Sequence, residues 1–351
     1  MADQLPIIGG SRAINTSATA STSLIGRGLS AILNKETGLA KSDLDARYRQ
    51  ARDIYNRITH YGLSTHFKIE LLPKQSEQLD LFEANPLQPF YDKFRQLADA
   101  YIVFQQLADK GYGKAYFPLA RMHRGGQGIS KNSDKADYYS QTSSDWCDSS
   151  DNIDPEIERD LGWMYEYGCG VKQDDEQAVF WYRKSAEQGH ASGQNNLGLM
   201  YANGRGVKQD DIQAVFWCRK SAEQGDAFGQ NNLGFMYDKG RGVKQDDIQA
   251  VFWYRKSAEQ GHAFGQNNLG FMYDKGRGVK QDDEQAVFWY RKVAEQGDAL
   301  GQYYLGQMYA KGQGVEQDDE QAVFWYRKAA EQGNTWAQEK LTNLGINWKN
   351  K

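Results

Sequence analysis

The chain has 351 residues, 40% hydrophobic and 25% charged, a composition typical of an ordinary folded protein. The net charge is −4, and residues 154–333 hold 28 Asp and Glu against 21 Lys and Arg, which argues against nucleic acid as a partner. Three cysteines without regular spacing, no secretory signal and no long apolar run together predict a cytoplasmic protein without a membrane span.

Two segments precede the regular part of the chain. Residues 1–40 are rich in Ser, Thr, Ala and Gly, and we expect a mostly disordered tail there. Residues 41–97 predict a helical cap and a linker, with a helix over 41–62, a proline-containing loop over 71–89 and a second helix from Phe90 to Lys110. The first of these helices is predicted from apolar residues at the spacing of one helix face: Leu44, Tyr48, Ala51 and Tyr55.

Residues 98–153 predict degenerate repeats with an insertion. Leu119, Gly126 and Gly128 recur 42 residues later, at the spacing of the regular units that follow. About six residues are therefore extra, and we place them within Gln141–Asn152. The serines and aspartates of that segment predict a surface loop.

Residues 154–333 contain one 36-residue unit in five copies, and 334–351 predict a C-terminal capping helix. A fixed period of this size indicates a solenoid of stacked units. The Leu-Gly pair that marks each copy begins at five positions: Leu161, Leu197, Leu233, Leu269 and Leu305. The tryptophan of each copy keeps the same period: Trp181, Trp217, Trp253, Trp289 and Trp325.

Each unit predicts two helices, which we name helix A and helix B. Helix A runs over Ala191–Ala202 and ends at Asn203-Gly204, because glycine readily adopts the left-handed conformation that closes a helix. Helix B begins at Asp210, with Gln213 completing a predicted capping box, and ends at Gly225. Helices A and B are expected to approach closely, because two positions at their contact are small: Gly198 and Ala214.

The unit from Ala191 to Gly225 resembles the Sel-1-like repeat, a relative of the tetratricopeptide repeat, and the repeated blocks look bacterial. This resemblance implies an all-α fold, a right-handed superhelical α/α solenoid of helix-turn-helix repeats. It also implies a non-catalytic adaptor that binds another protein. The chain departs from the family pattern where alanine is usual, and glycine there is expected to loosen helix A by about 1 kcal/mol per repeat. The four glycines concerned are Gly193, Gly229, Gly265 and Gly301.

The resemblance further implies that helix A lines a concave groove, where an extended or helical peptide segment would bind. Helix A positions that vary between copies then predict an apolar floor, an asparagine ladder and a charged edge. Alternatively, Phe228 and Phe264 only fill gaps between repeats, and the asparagines are products of recent duplication. The candidate residues are Trp163, Asn195, Leu199, Phe228, Asn231, Phe235, Asp238, Lys239, Phe264, Asn267, Phe271, Asp274, Lys275, Tyr303, Gln307 and Lys311.

No catalytic constellation, cofactor site or metal site is predicted, and the oligomeric state is left open. The Asp210-Asp211 pair is better explained by helix capping than by acid–base chemistry. Cys169 is expected to be an exposed thiol. Two other functions remain alternatives: a bacterial competition or defence component, and a hydrolase-like or β-lactam-interacting activity. The second is weakened because this chain lacks the cysteine pair that β-lactam-binding relatives carry in each repeat.

Overall fold

The computed structural model describes residues 41–60, 88–148 and 153–348, whose regular secondary structure is entirely helical. The predicted tail over 1–40 and most of the predicted loop over 71–89 lie outside the described residues. Within these described residues a 3-10 turn, Gly113–Ala115, accompanies the α-helices. These are α1 (Lys41–His60), α2 (Gln88–Asp109), α3 (Tyr116–Gly125), α4 (Ser133–Asp148), α5 (Pro155–Tyr167), α6 (Asp175–Glu187), α7 (Ala191–Asn203), α8 (Asp211–Glu223), α9 (Ala227–Lys239), α10 (Asp247–Glu259), α11 (Ala263–Lys275), α12 (Asp283–Glu295), α13 (Ala299–Lys311), α14 (Asp319–Glu331) and α15 (Thr335–Asn343).

Two compact units divide these helices, and the boundary between the units follows Ala178, within α6. The N-terminal unit contains α1 to α5 and the start of α6. The C-terminal unit contains the rest of α6 and all later helices. Within the C-terminal unit, successive helices pack pairwise as helices A and B, which agrees with the predicted all-α solenoid.

The N-terminal unit is built around the two helices predicted ahead of the repeats. The rings of Tyr48 and Tyr55 in α1 are buried against Phe104 of α2, with centroids 6.0 Å and 6.2 Å apart. Arg52 lies between these tyrosines in sequence and is also buried, and its Nη2 lies 2.5 Å from the carboxylate of Asp160 in α5. A buried charge is tolerated here because it is paired. Helix α1 is therefore an integral part of the unit.

Helix α4 is longer than the sequence suggested. The prediction of a surface loop over Gln141–Asn152 is wrong for its first part, because α4 continues to Asp148. The hydroxyl of buried Ser143 donates to the carbonyl oxygen of Tyr139 (2.7 Å), a bond that lets a polar residue stay within a helix. The ring of Trp146 packs over the 3-10 turn before α3, which fixes the end of α4 in place.

Each helix B of the C-terminal unit begins at an aspartate cap. The Asp210 side chain accepts from the backbone N–H groups of Ile212 and Gln213, both at 3.0 Å. The predicted capping box is wrong, because the Asp210 N–H donates to the carbonyl oxygen of Tyr201 (3.0 Å) at the end of the preceding helix A. The same aspartate cap recurs in three later repeats, at Asp246, Asp282 and Asp318.

Glycines set how closely the helices approach one another. Gly204 ends α7 in the left-handed conformation, with a φ of 64°, as predicted. A Cβ added to Gly198 would lie 2.7 Å from the Sγ of Cys218, which confirms the predicted close contact of helices A and B. A Cβ added to Gly229 would lie 2.3 Å from the Oγ of Ser221 in the preceding helix B. The unusual glycine of helix A thus permits tight contact between repeats.

Glutamines connect each repeat to the next. Gln230 Nε2 donates to the carbonyl oxygen of Ala222 (3.3 Å) in the preceding helix B, and its Oε1 accepts from Nε2 of Gln260 (2.7 Å), the residue that ends the following one. The two bonds satisfy the buried amide of Gln230 and fix the register of three helices. The same two bonds recur at three further glutamines: Gln194, Gln266 and Gln302.

The last described helix, α15, packs as a helix A. Asn334 caps it by accepting from the backbone N–H of Ala337 (2.9 Å). Ala337 and Leu341 are fully buried, whereas Trp336 is 42% exposed. The helix that the sequence placed at the end of the array is therefore present.

Candidate partner-binding face

The sixteen residues predicted to contact a partner all lie on helices A, but they differ in accessibility. The buried ones are Asn195, Leu199, Asn231, Phe235, Asp238, Asn267 and Tyr303. The half-buried ones are Trp163, Phe228, Phe264, Phe271, Asp274 and Gln307. The exposed ones are Lys239, Lys275 and Lys311. Only the last two groups can meet another polypeptide without rearrangement of the array.

The predicted asparagine ladder exists, but its amides lie inside the array. Asn232 Nδ2 donates to Asn195 Oδ1 at 2.8 Å, and Asn268 Nδ2 donates to Asn231 Oδ1 at 2.9 Å. These amides therefore join one repeat to the next, as buried polar groups generally must. The series ends at Tyr303–Tyr304, which replaces the asparagine pair. Burial of the asparagines speaks against their predicted contact with a partner.

The predicted apolar floor is divided between core and surface. Phe235 is buried and packs in the core of its repeat. The Phe228 ring lies 4.4 Å from the imidazole of His262, and the Phe264 ring lies 5.6 Å from the same imidazole. His262 is thus held between two phenylalanines of consecutive helices A. These two rings fill space between repeats, as the alternative interpretation holds, and part of each ring also remains accessible.

The predicted charged edge changes character along the array. Arg277 Nη2 lies 2.6 Å from the buried carboxylate of Asp238 in the preceding repeat. One repeat later, Asp274 takes the position of Asp238, and Gln313 takes the position of the arginine. Asp274 forms an ion pair with its neighbour Lys275 at 3.0 Å and is more accessible than Asp238. The edge is therefore more open in the later repeats.

The accessible predicted residues of α11 and α13 form what we name the helix-A patch. The patch combines aromatic rings with a carboxylate, an amide and two ammonium groups. Lys275 Nζ lies 6.0 Å from the centroid of the Phe271 ring, so charge and apolar surface adjoin. Gln307 Nε2 donates to the Tyr303 hydroxyl (2.5 Å), which orients the amide. The patch consists of Phe264, Phe271, Asp274, Lys275, Gln307 and Lys311.

The cysteines differ from the sequence expectation. Cys169 is buried, so the prediction of an exposed thiol is wrong, and burial raises the pKa of that thiol. Cys147 and Cys218 are buried as well. Within 41–60, 88–148 and 153–348, no three His, Cys, Asp or Glu side chains are grouped to hold a metal ion. None of the described helices combines the length and the apolar character needed to cross a membrane.

A second accessible surface lies on helices B, and the sequence analysis missed it. One phenylalanine of each helix B points outward, with between 45% and 47% of the residue exposed: Phe180, Phe216, Phe252, Phe288 and Phe324. The missed signal is the Phe-Trp pair. Neighbours on a helix point about 100° apart, so the phenylalanine turns outward when the tryptophan packs inward. Trp253, for example, is buried next to exposed Phe252.

The repeat pattern matches a known family across more than half of the chain. The family model described as Sel1 repeat matches six segments, which include the degenerate unit before the five regular ones: 113–145, 156–190, 191–226, 227–262, 263–298 and 299–334. A search among curated proteins gives no match.

Solved structures show the same relationship. A protective antigen present in uropathogenic Escherichia coli strains, with an SLR fold, is 40% identical over 69% of this chain and 50% of that one, with a TM-score of 0.54. This chain therefore spans about half of that protein. A Sel1 repeat protein from Oxalobacter formigenes is 36% identical over 61% of this chain and 89% of that one, with a TM-score of 0.55. An immunity protein from Pseudomonas aeruginosa, 23% identical over 54% of this chain and 71% of that one with a TM-score of 0.38, is too distant to bear on function. On the family match and these structures together, the chain belongs to the Sel1 repeat family.

Proposed function

We propose that this chain is a non-catalytic scaffold that binds a partner polypeptide on the helix-A patch. Sel1-repeat proteins are generally protein-interaction scaffolds. The observation that carries the proposal is the accessible surface of α11 and α13, where the Lys275 ammonium group adjoins the half-buried Phe271 ring. Phe264 and Lys311 are accessible on the same two helices, whereas the predicted asparagines are buried. The two alternative functions stay predictions: a bacterial competition or defence component, and a hydrolase-like or β-lactam-interacting activity.

The chemistry of the patch favours a particular kind of partner segment. Aromatic side chains with one face accessible serve as anchors for apolar residues of a partner. Lys239, Lys275 and Lys311 lie at the same position of consecutive repeats, so they favour a segment that carries acidic side chains along its length. Asp274, which lacks an arginine like the one beside Asp238, can accept from a donor of that segment.

Two variants and a matched control test the proposal. Lys275→Glu with Lys311→Glu reverses exposed charges, and Phe264→Ser with Phe271→Ser removes the anchors. The control, Phe324→Ser with Lys328→Glu, makes the same kinds of change on an exposed part of helix B. Each full-length protein is immobilised, and captured polypeptides are identified by mass spectrometry, with thermal melting as a check of folding.

The proposal predicts that a partner captured by the original protein and by the control is lost from both helix-A variants. Equal capture by all four proteins would contradict the proposal. Loss of capture from the helix-B control alone would place binding on the opposite face.

A further inference from the structure

Two isoleucines at the start of helices B are the most exposed large apolar residues described in the C-terminal unit. Ile212 is 71% exposed and Ile248 is 68% exposed. Both directly follow the first residue of their helix. The other regular repeats carry glutamate at the same position: Glu176, Glu284 and Glu320.

These isoleucines do not serve the fold of their own repeat. Glutamate at the same position interacts favourably with the positive end of the helix and has the higher helix propensity, so isoleucine weakens each helix slightly. Exposed to water, isoleucine offers no burial in return. Three repeats of this chain already fold with glutamate there. The fold of the repeat therefore does not require the two isoleucines.

Each isoleucine belongs to a line of accessible residues on its helix. Ile212, Phe216 and Lys220 are spaced four residues apart and lie on one face of α8. Lys220 Nζ lies 4.9 Å from the Phe216 ring, and the equivalent lysine of α10 lies 5.0 Å from its phenylalanine. We name the two adjacent lines the outer stripe: Ile212, Phe216, Lys220, Ile248, Phe252 and Lys256.

We propose that the outer stripe is a self-association interface, occupied by the outer stripe of a second copy whose helices B run antiparallel to the first. Each line begins beside capping aspartates such as Asp210, continues with apolar residues and ends with a lysine. When the copy is reversed, its Lys220 lies over the acidic start of the helix and Phe216 faces Phe216. Such a patch is complementary to itself, which a two-fold dimer requires.

Charge determines this orientation. In α12, Glu284 stands eight residues before Lys292, so the antiparallel copy brings each glutamate to a lysine. A parallel copy would bring lysine to lysine in every repeat. The flanking glutamates thus favour the reversed arrangement. The phenylalanines form the apolar centre of the contact, and each isoleucine packs against the aliphatic part of a facing lysine. The interface lies on helices B and is independent of the helix-A patch.

The first experiment measures the mass of the purified full-length chain in solution by sedimentation equilibrium over a wide range of concentrations. We expect a reversible dimer. Ile212→Lys with Ile248→Lys should raise its dissociation constant at least about tenfold, because the apolar burial of each isoleucine is lost and each new ammonium group faces a lysine of the copy. Leu344→Lys, an equally drastic change at another exposed apolar residue, should leave the dimer intact. Substitutions in the helix-A patch should do the same.

A monomeric original protein, or a dimer unaffected by the two new lysines, would overturn the proposal. Thermal melting of the double variant checks its fold, which we expect to be unchanged because both isoleucines are exposed. A second experiment tests the orientation. Phe216→Cys should form a disulfide-linked dimer under mild oxidation, because the native cysteines are buried and the two new thiols face each other. Leu344→Cys should not, and equal cross-linking of both variants would count against the antiparallel contact.

Discussion

Arg277 connects its repeat to the preceding one, since its Nη2 lies 2.6 Å from the buried carboxylate of Asp238. The same Nη2 also lies 2.6 Å from Asp247, at the start of a helix B. Removal of Arg277 and removal of Asp238 should have different consequences. Loss of the arginine leaves a buried carboxylate with only Lys239 beside it, whereas loss of Asp238 leaves the arginine one carboxylate.

The first prediction follows from this asymmetry. Arg277→Gln should lower the free energy of unfolding by about 1–3 kcal/mol, the usual cost of leaving a buried polar group poorly paired. Asp238→Ala should cost about 1 kcal/mol or less, because alanine occupies this position naturally at Ala202. Urea denaturation of both variants measures the difference. A larger loss for Asp238→Ala than for Arg277→Gln would show that we have misjudged the contact.

The second prediction concerns the glycine that departs from the family pattern. Alanine is a better helix former than glycine by about 1 kcal/mol, yet Gly229→Ala should destabilise the protein by about 1–3 kcal/mol. The added methyl group would lie 2.3 Å from the Oγ and 2.7 Å from the Cβ of Ser221, and 2.9 Å from the backbone nitrogen of Ala222. Thermal melting shows whether Gly229→Ala raises or lowers the stability of the protein. A higher melting temperature would mean that the repeats are packed less tightly than the structure shows.

The third prediction separates the aspartate cap from the capping box that does not form. Asp246→Ala should cost about 1 kcal/mol, because Asp246 accepts from the N–H groups of Ile248 and Gln249. Gln249→Ala should cost much less, because the Asp246 N–H donates to the carbonyl oxygen of Tyr237. Chemical denaturation of the two variants tests this. Equal losses would indicate that the glutamine side chain takes part in capping after all.

The fourth prediction is a pH dependence of the N-terminal unit. Burial, together with nearby Lys135, lowers the pKa of His123 from 6.5 to about 4. The neutral imidazole is stacked on Tyr139, with centroids 5.6 Å apart. Because the folded pKa is depressed, the stabilisation is fully present above pH 6.5, the unfolded value, and is lost as the pH falls towards 4. The loss should reach about 3 kcal/mol.

His123→Phe provides the comparison, since phenylalanine keeps the stacking and cannot be protonated. As the pH falls from 6.5 to 4, the unfolding free energy of the original protein should decrease relative to that of the variant. If the unfolding free energies of the two proteins changed with pH in parallel, His123 would be excluded as the source of the pH dependence.

The repeat period was enough to predict the helices and their ends. Glycine at 204 and aspartate at 210 act within one turn of the chain, so a single sequence shows their roles. The burial of Asn195 was not predictable in this way, because its partner Asn232 lies 37 residues ahead, on the next helix A. A position that varies between copies can belong either to the surface or to the contact between copies. Only packing distinguishes these cases.

The surface on helices B was missed for a different reason. Phe252 and Trp253 are adjacent, so Phe252 turns outward when Trp253 packs inward, and this consequence of the Phe-Trp pair was not drawn. The extension of α4, by contrast, depended on a tertiary contact, the ring of Trp146 over Gly113, which outweighs the loop-like composition of the segment.

Site-specific photo-crosslinking tests the location of partner binding most directly. A photoreactive phenylalanine analogue replaces Phe271 in the helix-A patch or, as the control, Phe288 on helix B, which is 46% exposed. The full-length protein is irradiated in the cells that produce it, and covalent adducts are identified by mass spectrometry. We expect an adduct with another polypeptide from position 271 and none with that polypeptide from position 288. The same adduct from position 288, with none from position 271, would contradict a binding face on helices A.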